Sequence, residues 1–144
     1  MIRLLALDLD GTTLNSRGEI PDANRAAIRA AEEQGVLVTI ATGRRFRDAR
    51  PIALDLALNA PLICYNGALI KYADSQQTVA RDLLSAETSY EIVRVGKQFG
   101  GDALVSTDPH QNGTLLYDRI SDDNIPLKKY LRWSETLHGG EAGR

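Results

Sequence analysis

The stretch LLALDLDGTTLNSRG, residues 4–18, decides how the rest of the chain is read. An apolar run ends in two aspartates one residue apart, and glycine and threonine follow at once. Residues 2–9 are almost continuously apolar, the pattern of a parallel strand buried on both faces. Carboxylates at positions i and i+2 of a strand share a side, so Asp8 and Asp10 are expected to point to one place. At the C-terminal edge of a parallel strand, that place is the crevice where open α/β sheets bind ligands.

The chemistry follows from the charges. Two close carboxylates repel unless a cation or a shared proton intervenes. A hard divalent cation with oxygen ligands, Mg²⁺ above all, resolves the conflict. Such a site handles phosphate: the metal neutralises phosphoryl oxygens, one carboxylate attacks phosphorus, and its neighbour moves protons. Gly11 permits a sharp turn, and the amides around Gly11 and Thr12 are then expected to face the anion. A bare D-x-D is more often a solvated turn, but five residues, DLDGT, directly after a buried first strand favour the chemical reading.

Outward from there, PDANRAAIRAAEEQG places Ile20, Ala27, Ile28 and Ala31 on one helical face, with Pro21 at its start and Gly35 as its stop. VLVTIA, residues 36–41, is a second buried strand, so strand–helix–strand order implies a parallel crossover. TGRRFRDARPIALDLALN reads as a loop and a helix kinked or restarted at Pro51, with RRFRDAR as a solvated face. PLICYN, residues 61–66, is a third strand, and GALIKY and TVARDLL form a small hairpin. From Ser85, an N-cap, a helix is expected over 86–99 with Ile92, Val95, Gly96 and Phe99 on one face. DALVST and GTLLYDR are strands, SDDN at 121–124 is a helix-start turn, and IPLKKYLRWSETLHG is a last helix with Trp133 as packing. The expected class is α/β: an incomplete Rossmann-like parallel core over residues 1–84, then the start of a second, α+β domain over 85–144.

Two further strand ends bear on the same crevice. In ATGR, Thr42 offers a hydroxyl and Gly43 an amide to a phosphate oxygen, and Arg44 either adds charge or opens a solvated helix. Asn66 of YNGA lies either in an ordinary turn or beside that crevice. His110 and His138 lack metal-ligand spacing.

Bulk properties exclude other classes. The 144 residues carry a net charge of −2, which argues against nucleic-acid or membrane partners. Cys64 is the single cysteine, which rules out an intrachain disulfide and suits a reducing cytoplasm. Charged residues interrupt every apolar stretch below membrane-spanning length, and no P-loop signature is present.

With these residues in view, the chain resembles the haloacid dehalogenase superfamily of phosphatases: DLDGT matches its first motif and TGR its second. LLALDLDGTTLNSRGEI, ATGRRF and PLICYNGALI together are similar to the Cof-type branch, whose cap domain is inserted after the third core strand. The resemblance implies that Asp8 is the nucleophile that forms an aspartyl-phosphate and Asp10 the general acid and base. It also implies that Thr42 binds phosphate, and that Mg²⁺ sits on the Asp8 carboxylate and the Asp10 backbone carbonyl. An acid at position 10 argues against the dehalogenase and P-type ATPase branches, while Thr13 departs from the usual leucine. The implied substrate is a small phosphorylated metabolite such as a sugar phosphate.

Cof-type proteins are longer, and return to the core after the cap with a lysine and a GDxxND-like stretch. Neither Lys128 and Lys129 nor HGGEAG matches these, so the chain looks like the first half of such an enzyme, with hydrolysis by it alone expected to be weak or absent. An edge of its sheet would then lack partner strands, which implies association with another chain or marginal stability. The alternative is a non-catalytic protein that associates through that edge. A phospho-receiver domain ranks last, because the third strand ends without an aspartate.

Overall fold

Short apolar runs separated by amphipathic stretches build two compact units, Met1–Leu83 and Leu84–Arg144. The computed structural model describes residues 2–107, 114–138 and 142–143. In the first unit, β1 (Leu4–Leu7) is followed by α1 (Asp22–Glu33) and β2 (Leu37–Ile40). The two strands pair in parallel, Leu4 against Leu37 through Leu7 against Ile40. Pro21 is the N-cap of α1, and Gly35, at φ +77°, follows its last turn.

Helix α2 (Phe46–Leu56) leads to β3 (Leu62–Cys64). It runs through Pro51 as one helix, so the expected restart is absent. A single parallel bridge, Ala41 to Ile63, joins β3 to the end of β2. The Thr39 hydroxyl supports that junction with a 2.5 Å bond to the Pro61 carbonyl. A 3-10 turn over Tyr65–Gly67 then gives way to β4 (Leu69–Lys71) and β5 (Thr78–Arg81). β4 pairs antiparallel with both β3 and β5.

Burial shows how the sheet is covered. Leu9, Ile40, Phe46, Ala49, Ala53, Leu62, Cys64 and Leu69 form one buried cluster. Ile28, Val38 and Leu56 form a second, with Leu5 and Leu7 packed against it. Removing each such large side chain from water contributes roughly 1.5–3 kcal/mol. Leu5 and Leu7 alternate with Leu4 and Ala6, which are exposed, as is Leu37 opposite Leu4. The expected burial on both faces is therefore corrected. α1 and α2 pack onto the face that carries Leu5, Leu7, Val38 and Ile40, while Leu4, Ala6 and Leu37 on the other face stay open to water.

The second unit contains α3 (Ala86–Gln98), β6 (Val105–Thr107), β7 (Thr114–Leu116), α4 (Ile125–His138) and β8 (Ala142–Gly143). β7 lies between β6, antiparallel, and β8, parallel. The Ser85 hydroxyl caps α3 by accepting the Thr88 amide at 3.0 Å. Ile92 and Val95 on that helix and Phe99 at its C-cap are exposed, so their shared spacing does not mark a face buried within the unit. Asp102 accepts the Ser121 amide and hydroxyl and the Asn124 side-chain amide, and these bonds, that of Asn124 foremost, hold its carboxyl below the ordinary value. Asn124 in turn accepts the Leu127 amide, which makes SDDN the start of α4. Trp133 packs on Tyr130 with ring centroids 5.9 Å apart. His110 lies outside the described residues. Among the described residues no helix is long and apolar enough to cross a membrane.

Candidate active site

The site grows from the ends of β1, β2 and β3. β1 ends at Leu7, one residue before Asp8. Leu9 turns inward and is fully buried, while Asp8 and Asp10 on either side of it are exposed. The chain then doubles back. Gly11 takes a positive φ of 77°, and the amides of Thr13 and Leu14 converge on the Leu9 carbonyl at 3.1 and 2.9 Å. The Thr12 amide donates a long 3.4 Å bond to the same carbonyl, so the turn employs the donor that the sequence assigned to an anion.

Thr13 secures this turn. Its buried hydroxyl donates to the Asp8 carbonyl at 2.6 Å, and its own carbonyl accepts the Asn24 side-chain amide from α1 at 3.1 Å. The departure from leucine at position 13 thus has a physical role, one that a bond to a backbone carbonyl leaves invisible in the sequence.

At the end of β2, Thr42 is buried and bonded on three sides. Its amide donates to the Ile63 carbonyl at 2.9 Å, its carbonyl accepts the Asn66 amide at 3.1 Å, and its hydroxyl accepts the Arg44 amide at 3.1 Å. A hydroxyl that accepts one bond keeps its hydrogen to donate. The Arg44 carbonyl accepts the Tyr65 amide at 3.0 Å. Tyr65 and Asn66 both hold left-handed conformations, φ 52° and 55°, which cost non-glycine residues of order 1–3 kcal/mol each. The two bonds to the Thr42–Arg44 loop keep that strained turn in place. The Asn66 side chain lies against Gly43, its Oδ1 2.9 Å from where a β-carbon at position 43 would stand.

Arg44 crosses between the loops. Its Nε and Nη2 donate to the two oxygens of Asp10 at 2.9 and 2.6 Å. These hydrogen bonds hold the Asp10 carboxyl below its ordinary value and raise that of Arg44, where the charges of Asp48 and Asp8 add to the effect. Asp10, Arg44, Thr42, Gly43 and Asn66 therefore form one bonded or touching set, with Asp8 close enough for its charge to act on Arg44. Gly11 and Thr12 shape the turn beside them.

Behind the site lies a buried ionic core that sequence reasoning missed. Arg45, the N-cap of α2, donates Nε and Nη2 to Asp48 at 2.8 and 3.1 Å, and both side chains are almost wholly enclosed. RRFRDAR is therefore not a solvated face. Lys71 on β4 is also fully buried, its ammonium 4.8 Å from the centre of the Phe46 ring. Burial, with the Asp48 charge adding to it, pushes the Cys64 thiol up to about 12.

As for a metal, Asp8 and Asp10 offer hard oxygen donors of the kind magnesium takes. Among the described residues no group of three or more His, Cys, Asp or Glu side chains gathers to hold one. Two donors suit an ion that keeps several waters and shares a substrate phosphate.

Comparison with known proteins sets this geometry in context. The sequence profile of the haloacid dehalogenase-like hydrolases matches residues 5–138. The 5-amino-6-(5-phospho-D-ribitylamino)uracil phosphatase YcsE of Bacillus subtilis is 44% identical over 137 residues, 86% of this chain and 54% of that protein. Among solved structures, BT1666 from Bacteroides thetaiotaomicron, described among phosphatases of the haloalkanoate enzyme superfamily, superposes with a TM-score of 0.74 at 21% identity, over 98% of this chain and 53% of its own. The subclass IIB sugar phosphatase BT4131 does so with a TM-score of 0.70 at 19% identity, over 92% and 48%. The chain spans about half the length of these relatives. Its α/β fold is theirs over that span, and with a profile that covers nearly all of it, the chain belongs to the haloacid dehalogenase-like hydrolases.

Proposed function

We propose that these residues serve a magnesium-dependent phosphatase that cleaves small phosphorylated metabolites, such as sugar phosphates, through an aspartyl-phosphate. One observation carries the reading: the Asp10–Arg44–Thr42 chain of bonds, which gathers an acid, a cation and a hydroxyl at the ends of the parallel strands next to Asp8. Relatives named as phosphatases support it.

In this proposal the Asp8 carboxylate attacks phosphorus and displaces the alcohol, which takes a proton from Asp10 as it leaves. Water then attacks the phosphorus of the acyl-phosphate and gives its proton to Asp10; the bond from phosphorus to the Asp8 oxygen breaks, releasing phosphate and restoring the Asp8 carboxylate. Thr42 and the Gly43 amide bind phosphoryl oxygens, Arg44 adds charge, and Asn66 borders the pocket. Asp8 and Asp10 would hold the magnesium ion, which when bound offsets the charge on the phosphoryl oxygens. Residues 1–84 are read as part of the catalytic core and residues 85–144 as the opening of a cap. The lone thiol, buried and inert, suits a cytoplasmic setting.

With so few metal donors gathered among the described residues, this chain alone is expected to hydrolyse p-nitrophenyl phosphate very weakly or not at all. Any residual rate should need Mg²⁺, vanish in Asp8→Asn and fall about 10²-fold in Asp10→Asn. A rate that survives Asp8→Asn unchanged contradicts the nucleophile assignment. Fast wild-type turnover contradicts the expected weakness.

A further inference from the structure

Arg44 has two claims on one side chain. Its backbone is built into the loop assigned to phosphate, through the Thr42 hydroxyl and the Tyr65 amide. Its guanidinium leaves that loop and grips both oxygens of Asp10. The pair is partly open to water: the Asp10 side chain is 62% exposed and that of Arg44 24%. The exposed carboxylate leaves this two-bond pair within reach of water and of a competing anion. A phosphate dianion brings more charge and three acceptor oxygens, the stronger partner for a guanidinium fork.

We propose that Arg44 is a shared counter-ion, holding Asp10 in the free chain and drawn off it when a phosphate dianion enters beside Thr42 and Gly43. This rests on the phosphate-site reading above. Arg44 is then a positioning residue for Asp10. While the fork is closed, both carboxylate oxygens are engaged by N–H donors. Arrival of a phosphoryl group opens the fork and leaves those oxygens free. The position supports such an exchange, because the side chain spans two loops whose backbones are pinned independently, by Thr13 on one side and by Thr42 and Tyr65 on the other.

The test is a double-mutant cycle on binding, independent of turnover. Inorganic phosphate is titrated into the wild-type chain, Asp10→Asn, Arg44→Met and the double variant. The Gly43 amide and the Arg44 Nε–H are followed by nitrogen–proton NMR, and dispersed spectra certify folding. Exchange predicts that Asp10→Asn tightens phosphate binding about three- to fivefold in the wild-type background, by removing the competitor. In the Arg44→Met background the same change should have almost no effect. The Arg44 Nε–H should move with the same midpoint as Gly43. An equal gain in both backgrounds would mean simple charge repulsion and overturns the proposal, as does no gain in either. Phosphate binding at Gly43 without coupling overturns the exchange alone. Failure of phosphate to move Gly43 in all four proteins overturns the phosphate-site reading and the exchange with it.

Discussion

Gly43 stands where a methyl group would meet the Asn66 oxygen at 2.9 Å, closer than β-carbons come to other atoms. The obstacle is the tip of a flexible side chain, so Gly43→Ala is expected to cost stability only about 1 kcal/mol or less, the scale of a rotamer adjustment. It should nonetheless push Asn66 off the loop and weaken inorganic phosphate binding severalfold. Urea unfolding and a phosphate titration of the same variant separate the two effects, and adding Asn66→Ala should recover part of the affinity. Unchanged phosphate binding in Gly43→Ala would show that the contact is incidental. Around this glycine, the residue types at the crevice were legible in DLDGT and TGR because short motifs at strand ends carry their own chemistry. The partnership of Asp10 with Arg44 was not, since the two lie 34 residues apart and meet only once the strands pair. Nor does a sequence reveal that Tyr65 and Asn66 both adopt left-handed backbone.

At the scale of elements, α2 begins directly after the Thr42–Arg44 loop, with Arg45 as its N-cap, and its first turn carries the enclosed Arg45–Asp48 pair. Removing one partner of a buried pair leaves the other's charge less well compensated in a dry site, at a cost of up to about 3–5 kcal/mol. Asp48→Ala should therefore lower the urea midpoint of the first unit drastically, given total stabilities of about 5–15 kcal/mol. A loss below about 1 kcal/mol in Asp48→Ala would show that the pair does not fasten the helix. The elements themselves were legible where periodicity is local: α1, the hairpin of β4 and β5, and α3 with its Ser85 cap fall where apolar spacing and capping residues put them. RRFRDAR misled because a dense run of charges ordinarily faces water, and only the packing around it shows that the paired Arg45 and Asp48 are enclosed.

For the molecule as a whole, the open face of the first sheet is the feature with most consequence. Ile2, Leu4 and Leu37 are 74%, 55% and 48% exposed, and among the described residues β1 pairs only with β2. An open apolar face beside β1, an edge strand among the described residues, invites association with another chain. Sedimentation velocity at micromolar concentration should find self-association that Leu4→Glu reduces. A monomer at every concentration, indifferent to that substitution, would remove the case for an interaction role. The apolar run at residues 2–9 marked the strand correctly, but the covering of its two faces depends on which helices pack there.

The claim on which all of this depends is that Asp8, Asp10, Thr42 and Gly43 form one phosphoryl site. The most direct measurement is nitrogen–proton NMR of the chain titrated with orthovanadate in the presence of Mg²⁺, with Asp8→Asn as the control. The account predicts saturable shifts concentrated at residues 8–12 and 42–44 that require the metal and disappear in Asp8→Asn. Shifts that scatter elsewhere, or that persist undiminished in Asp8→Asn, would contradict it.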